Sequence, residues 1–335
     1  VTHHESLGRE GQPSERQAVN AETGGVYLAA HLEPFAKWLA DDTITEILVN
    51  RPGEVWLEGA GIQGMVRHEA PQIDDRLIER LAQQIARETH QGINRERPVL
   101  AATLPGGARA QIVAPPATRR HWAMAIRRHR LVDVPLNAYD HGALPGMAEP
   151  QWRSADPAAD PIGFLRAAVA ERATVLISGG TSSGKTTFLN ALLREVPQQE
   201  RIVLVEDTPE IRLAHANSIG LVAVKGEMGE ARLSADDLLQ ASLRMRPDRI
   251  VLGELRGSEA VSFLRAINTG HPGSFSTIHA NSPQGALEQL ALMVMQAGLG
   301  LSRSETIAYA KSVIDVVVQL DRSGGERRIS AIMIN

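Results

Sequence analysis

The run Gly179-Gly180-Thr181-Ser182-Ser183-Gly184-Lys185-Thr186 has the residue types and the spacing to grip a polyphosphate. Glycines let successive backbone N–H groups turn inward around phosphate oxygens, and a helix starting where the loop ends adds partial positive charge. Lys185 is placed to reach the β- and γ-phosphates, and the Thr186 hydroxyl to ligate Mg²⁺. Residues 173–178 are apolar and strand-like, and the residues after the loop open an apolar helix through Phe188 and Leu189. That context separates a phosphate-binding loop from a chance glycine-rich turn. A nucleoside triphosphate is the expected ligand.

Further strand ends deliver acids. Residues 202–205 form an apolar strand that runs into Glu206 and Asp207, followed by Glu210. At the C-terminal edge of a parallel sheet such carboxylates face the same crevice as the loop, where they orient Mg²⁺ and a nucleophilic water. Elsewhere, acids after a strand are merely solvated or cap the next turn. Residues 249–252 run likewise into Gly253-Glu254-Leu255-Arg256, the position and character of a Walker B element with Glu in place of Asp. Gly270-His271-Pro272-Gly273 and Thr277-Ile278-His279-Ala280-Asn281 bracket a fourth strand. A lone histidine is usually structural, but both of these are expected to sense a γ-phosphate from sheet-edge loops. A zinc site is the weaker alternative, with no cysteine and no further convergent ligands. Arg119, Arg120, Arg127, Arg128 and Arg130 form the densest positive segment, and Arg109 precedes it. Trp122, Met124 and Ile126 recur there at period two, so one reading is a half-buried strand with a solvated face. The others are a nucleic-acid patch, or arginines presented to nucleotide bound in another domain or a neighbouring subunit.

These residues need a frame. Residues 1–24 are polar and aperiodic, a loose tail by composition. Residues 27–39 carry apolar positions at helical spacing, residues 44–49 and 54–57 read as a hairpin around Pro52-Gly53, and residues 73–86 return to a helix. Short strands are expected over 99–102, 109–113 and 122–127, which makes residues 25–134 an α+β domain. Five prolines between 135 and 161 suit an interdomain linker. Beyond it, helices over 162–171, 184–195, 235–244 and 257–268 alternate with strands over 173–178, 201–206, 249–253 and 274–278. The expectation is an α/β domain over 162–335 with a parallel, doubly wound sheet.

Composition bounds the rest. The 335 residues suffice for two domains with real cores. A net charge of -4 argues against a chain built to coat nucleic acid, so no sequence-specific nucleic-acid binding is expected. The absence of cysteine excludes disulfides and thiol chemistry. With no long apolar run and no signal-peptide core at the start, the chain reads as cytoplasmic, and attachment to a membrane through partners stays open.

Taken together, GGTSSGKT, VEDTPEI, LRMRPDRIVLGELRG and TGHPGSFSTIHAN resemble the Walker A, Asp, Walker B and His boxes of VirB11-type secretion ATPases, in family order. Thr45-Glu46-Ile47-Leu48-Val49-Asn50 with Pro52-Gly53-Glu54-Val55-Trp56 is similar to the family's N-terminal signature, so the likeness spans roughly residues 28–335. The resemblance implies a RecA-like P-loop NTPase domain behind a smaller α+β domain, ATP and Mg²⁺ as cofactors, and a homohexameric ring with nucleotide between the domains. By position it gives phosphate and Mg²⁺ binding to the loop Gly179, Gly180, Thr181, Ser182, Ser183, Gly184, Lys185, Thr186 and Thr187. It makes Glu206, Asp207 and Glu210 the Asp box, Glu254 the Walker B acid that joins Thr186 at the metal, and His271 and His279 the His box. Arg109, Arg127 and Arg128 match the nucleotide-facing arginines less securely. It also implies a motor at the cytoplasmic face of the inner membrane, working with channel components and coupling ATPases of a type IV secretion or conjugation system. A pilus or type II secretion ATPase is the nearest alternative, and its frequent Cys-based metal insertion is missing here. A nucleic-acid-stimulated motor and a nucleotide-binding scaffold without turnover are more distant.

Overall fold

The computed structural model describes the chain except residues 1–24, 26, 129–134, 141, 143–148, 225–230, 232 and 299. The expected tail, Arg130 and part of the proline-rich segment therefore fall outside the described residues. Residues 27–32 are helical, but the expected continuous helix to residue 39 is broken. Pro34 lacks an N–H and its ring crowds the preceding turn, so the chain tightens into a 3-10 turn at Glu33–Phe35 before a short helix α1 at Ala36–Ala40.

Six strands follow: β1 (Ile44–Val49), β2 (Gly53–Gly59), β3 (Val66–Ala70), β4 (Val99–Thr103), β5 (Arg109–Val113) and β6 (Ala123–Arg127), with helix α2 (Asp75–Glu88) between β3 and β4. They form one sheet in the order β3-β2-β1-β6-β5-β4. Every pairing is antiparallel. The Asp74 side chain accepts from Leu77 N at 2.7 Å and caps α2, whose Ile78, Leu81 and Ile85 are buried. Because side chains alternate along a strand, Ile47, Val49, Met124 and Ile126 go to this helical layer, while Leu48, Ala123 and Ala125 go to the opposite face. That opposite face is not solvated, as the period-two reading of residues 122–127 had it. It is packed on the rest of the molecule, and the small Ala123 and Ala125 let the backbone approach closely.

The segment after residue 149 is not a free spacer either. Trp152, in a 3-10 turn at Gln151–Ser154, is 2% exposed and stacks edge-on against Phe164 at 5.7 Å. From there helices α3 (Pro161–Ala170), α4 (Lys185–Glu195), α5 (Ala235–Ser242), α6 (Glu259–Asn268), α7 (Pro283–Gln296) and α8 (Arg303–Val313) accompany seven strands. These are β7 (Val175–Gly179), β8 (Ile202–Glu206), β9 (Ser218–Val222), β10 (Arg249–Leu255), β11 (Phe275–Ile278), β12 (Val316–Ser323) and β13 (Glu326–Ile334). The order is β13-β12-β7-β11-β10-β8-β9. All neighbours run parallel except β12 and β13, which form an antiparallel hairpin at one edge. Runs such as Val175–Gly179 and Ile202–Glu206 are buried throughout, as a sheet covered on both faces requires.

The two sheets are fastened by one shared apolar core, in which Leu48, Val113, Ala117, Ala123 and Ala125 join Ile219, Leu221, Leu238 and Leu239. Polar contacts border it. Arg246 grips Glu58 with two bonds of 2.6 Å, and buried Arg201 donates to Asn50 Oδ1 at 2.7 Å and to Asn217 Oδ1 at 2.5 Å.

Candidate functional site

Parallel strands send all their C-terminal ends to one edge, and here β7, β8, β10 and β11 deliver the loop, the first acids, Glu254 and His279 to a common cleft of about 340 Å³. Its walls include Ser182, Gly184, Lys185, Thr186, Thr187, Glu206, Asp207, Glu210, Glu254 and His279. Gly179, Gly180, Thr181 and Ser183 complete the loop beside it.

Two glycines of this loop are dictated by space. A Cβ on Gly179 would meet Ser183 Oγ at 2.3 Å. Gly184 has φ +93°, and a Cβ there would meet Arg327 Cδ at 2.6 Å. Ser182 also takes a left-handed conformation at φ 62°, which helps curl the backbone N–H groups into one concavity.

Lys185 Nζ donates to Gly179 O at 3.0 Å and Gly180 O at 3.2 Å, and lies 3.2 Å from His279 Nδ1. Burial pulls its pKa below the usual lysine value, and Glu254 opposes that pull. On the far side of the ring, His279 Nε2 sits 2.7 Å from Glu254 Oε1. The approach is not along a hydrogen-bond direction, so this buried oxygen has no directed donor. Glu254 Oε2 accepts from Arg256 Nη2 at 2.7 Å, and Arg256 Nη1 reaches Asp207 Oδ2 at 3.5 Å. The bond to Glu254 raises the Arg256 pKa above its ordinary value.

Glu206 behaves differently from its neighbours. Arg119 Nε and Nη2 both donate to its Oε1, and its Oε2 accepts from Glu210 N at 3.0 Å and Ile211 N at 3.3 Å. Its oxygens are committed to shaping the 206–211 loop, so this acid does not stand free toward a metal or a water.

Four other expected residues lie away from the cleft. His271 precedes β11 and so occupies the opposite edge of the sheet, with Nδ1 3.1 Å from Pro247 O. A histidine at each end of one strand cannot serve one ligand. Burial lowers the His271 pKa. Arg109 and Arg127 pair across β5 and β6, and Arg127 Nε lies 3.4 Å from Glu46. Arg128 Nη1 is spent on the carbonyls of Asp41 and Ile44. Among the described residues, the guanidinium groups that border the cleft are those of Arg256 and Arg327, with Arg119 acting through Glu206. Arg256 and Arg119 stood inside segments of evident interest, while Arg327 comes from the β12–β13 hairpin and carried no local signal.

Among the described residues no three His, Asp or Glu side chains are grouped to hold a metal by themselves. Nor is any described helix long and apolar enough to cross a membrane.

Comparison with known proteins agrees with this architecture. Residues 29–324 match the family described as type II/IV secretion system protein. The chain is 42% identical to a type IV secretion system protein PtlH homolog of Bordetella bronchiseptica, over 88% of this chain and 91% of that one. It is 34% identical to the type IV secretion system protein VirB11 of Bartonella henselae, over 90% and 91% of the two chains. Among solved structures, the VirB11 ATPase of the Brucella suis type IV secretion system, crystallised with sulphate, superposes with a TM-score of 0.86 at 35% identity, covering 94% of this chain and 96% of that one. The loop, the acids and the histidine gathered at one sheet edge thus sit in a frame of known lineage: the chain belongs to the type II/IV secretion system protein family and is of the VirB11 type.

Proposed function

We propose that the chain is a Mg²⁺-dependent ATPase whose second half is a RecA-like P-loop domain, acting as a homohexameric motor for a type IV secretion or conjugative transfer system. The convergence of Lys185, Thr186, Glu254 and His279 on one cleft carries this reading. The backbone N–H groups of residues 182–187 and the start of α4 bind the phosphates, and Lys185 exchanges the Gly179 and Gly180 carbonyls for β- and γ-phosphate oxygens. Glu254 fits a divalent cation, because its carboxyl Oε1 is buried and without a directed donor, and the Thr186 hydroxyl lines the same cleft. The grouping supplies few protein ligands, as suits Mg²⁺, which keeps water and phosphate oxygens in its shell. Bound there, the ion would neutralise charge building on the transferred phosphoryl group. His279, between Lys185 and Glu254, is placed to register whether a γ-phosphate has drawn the lysine away. The ring, its place at the cytoplasmic face of the inner membrane, and its channel and coupling-ATPase partners rest on the family membership.

The test is phosphate release by the purified protein, with Mg²⁺ and with excess chelator, for wild type and Lys185→Ala. Turnover that needs both the metal and the lysine supports the assignment. A variant that keeps near-normal kcat removes it.

A further inference from the structure

Two hollows meet at the start of α4. The first is the polar cleft already described. The second, about 450 Å³, is lined by Pro161, Ile162, Phe188, Ala191, Leu320 and Ile329 among others, and is mostly apolar. The two share Gly184, Thr187 and Arg327 as common walls, while every acid of the site lines only the first. Arg327 thus stands on the border between a wall suited to phosphates and one suited to a flat apolar ring.

Its surroundings are electrostatically one-sided. The Arg327 side chain lies against Gly184, with Cδ 2.6 Å and Nε 3.1 Å from where a Cβ would be. It therefore sits over the N-terminus of α4, whose unpaired N–H groups carry partial positive charge. Among the described residues no carboxylate pairs with it. Its neighbour Arg328, by contrast, reaches Asp321 at 3.8 Å. An exposed guanidinium over a helix N-terminus, with no acid of its own, keeps its donors available for an anion bound at that N-terminus.

We propose that Arg327 is a nucleotide-binding residue supplied by the β12–β13 hairpin of the same chain, and that it holds the α and β phosphates rather than the γ. This rests on the nucleotide reading of the cleft. Glu254 and His279 mark the γ end of the cleft, and Thr187 with Arg327 marks the end from which the apolar hollow leads away. A triphosphate laid along the loop puts its α and β groups beneath Arg327, and its base in the apolar hollow against Ile162, Phe188 and Ile329. Arg327 is then a clamp on what ATP and ADP have in common, and it leaves the γ-phosphate chemistry to the other end.

The test is the affinity of the full chain for ADP and for ATP by titration calorimetry, with wild type, Arg327→Ala and Arg327→Lys. The expected result is a loss of about tenfold for both nucleotides in the alanine variant, the size of one charge-assisted contact. The lysine variant should recover most of that loss, which a merely misfolded hairpin would not do. Equal affinities for alanine variant and wild type overturn the assignment, as does a loss confined to ATP, which would place Arg327 on the γ-phosphate. A wild-type protein that binds neither nucleotide would sink the cleft's function together with this clamp. Normal wild-type binding beside an indifferent alanine variant sinks the clamp alone.

Discussion

The two edges of the parallel sheet are equally rich in charge and differ in what the charges do. At the N-terminal edge, Arg249 is fully buried, holds Glu200 through bonds of 2.6 and 3.1 Å, and also donates to Gly273 and Val169 carbonyls. Arg201 is equally buried, and burial pushes its pKa down to about 10 in spite of nearby Asp248. Apart from Arg201 Nη2, which has no hydrogen-bond partner among the described residues, these groups are spent on fastening β8, β9 and β10 to each other and to the N-terminal sheet. At the C-terminal edge, Lys185, Glu254 and Arg256 touch each other's neighbours yet still line an open cleft. The difference follows from chain direction. Strand starts meet other chain segments that can close over them, whereas the ends of parallel strands meet at loops that leave a crevice. A buried pair whose partners are all internal serves geometry, and a charged group with an unspent valence serves ligands.

Variants can break or sharpen this contrast. Lys185→Ala, at the open edge, should cut ATP turnover on the order of a thousandfold with an unchanged melting midpoint. A large loss of stability instead would make the two edges alike. Glu254→Gln should lower turnover about a hundredfold while ATP still binds, read by phosphate release beside calorimetry. Stability changes belong to the closed edge. Near it, Glu46 is buried on β1 among Arg127, Glu58, Arg246 and Arg201, and burial raises its pKa to about 7. The folded state therefore favours the protonated form, so stability is full below the ordinary carboxylate range and declines as pH rises through about 7. Glu46→Gln should remove that decline, worth up to about 3 kcal/mol between pH 5 and 8 in urea unfolding. Arg246→Ala leaves Glu58 without its paired donor, while Asp248 keeps Arg201 N and Arg172, and should cost about 2 kcal/mol with little change in KM for ATP. The finest comparison uses two histidines from one box. His279→Ala should lower turnover about tenfold, and His271→Ala should leave it within about twofold. Equal effects would erase the distinction between the edges.

Much of this was readable in the residues, because local rules governed it. The phosphate-binding loop needs glycines, a lysine and a hydroxyl in sequence, and it falls between β7 and α4 as its context demands. Apolar runs such as Ile202–Glu206 and Arg249–Leu255 place their acids at the expected ends. What stayed hidden depends on contacts between distant segments. β9 is only Ser218–Val222 amid irregular chain, and its partner β8 defines it. β3 carries Arg67, His68 and Glu69, an exposed edge with little apolar signal. The pattern of residues 122–127 concealed that alanines, rather than polar groups, filled the second face. Which histidine faces the cleft, and that Arg119 takes Glu206 and Arg327 overlies Gly184, follow only once the strands are set side by side.

The apolar seam joining the two sheets also bears on how the protein can be cut. A fragment beginning near Pro150 would carry every wall of the cleft, yet it would present Ile219, Leu221 and the outer side of α5 to water and would leave Glu206 without Arg119. Such a minimal catalytic piece should be sticky and poorly active. The strands β1–β6 and the helix α2 then act as a solubilising cover for that seam, and a useful truncation would need it repainted with polar side chains.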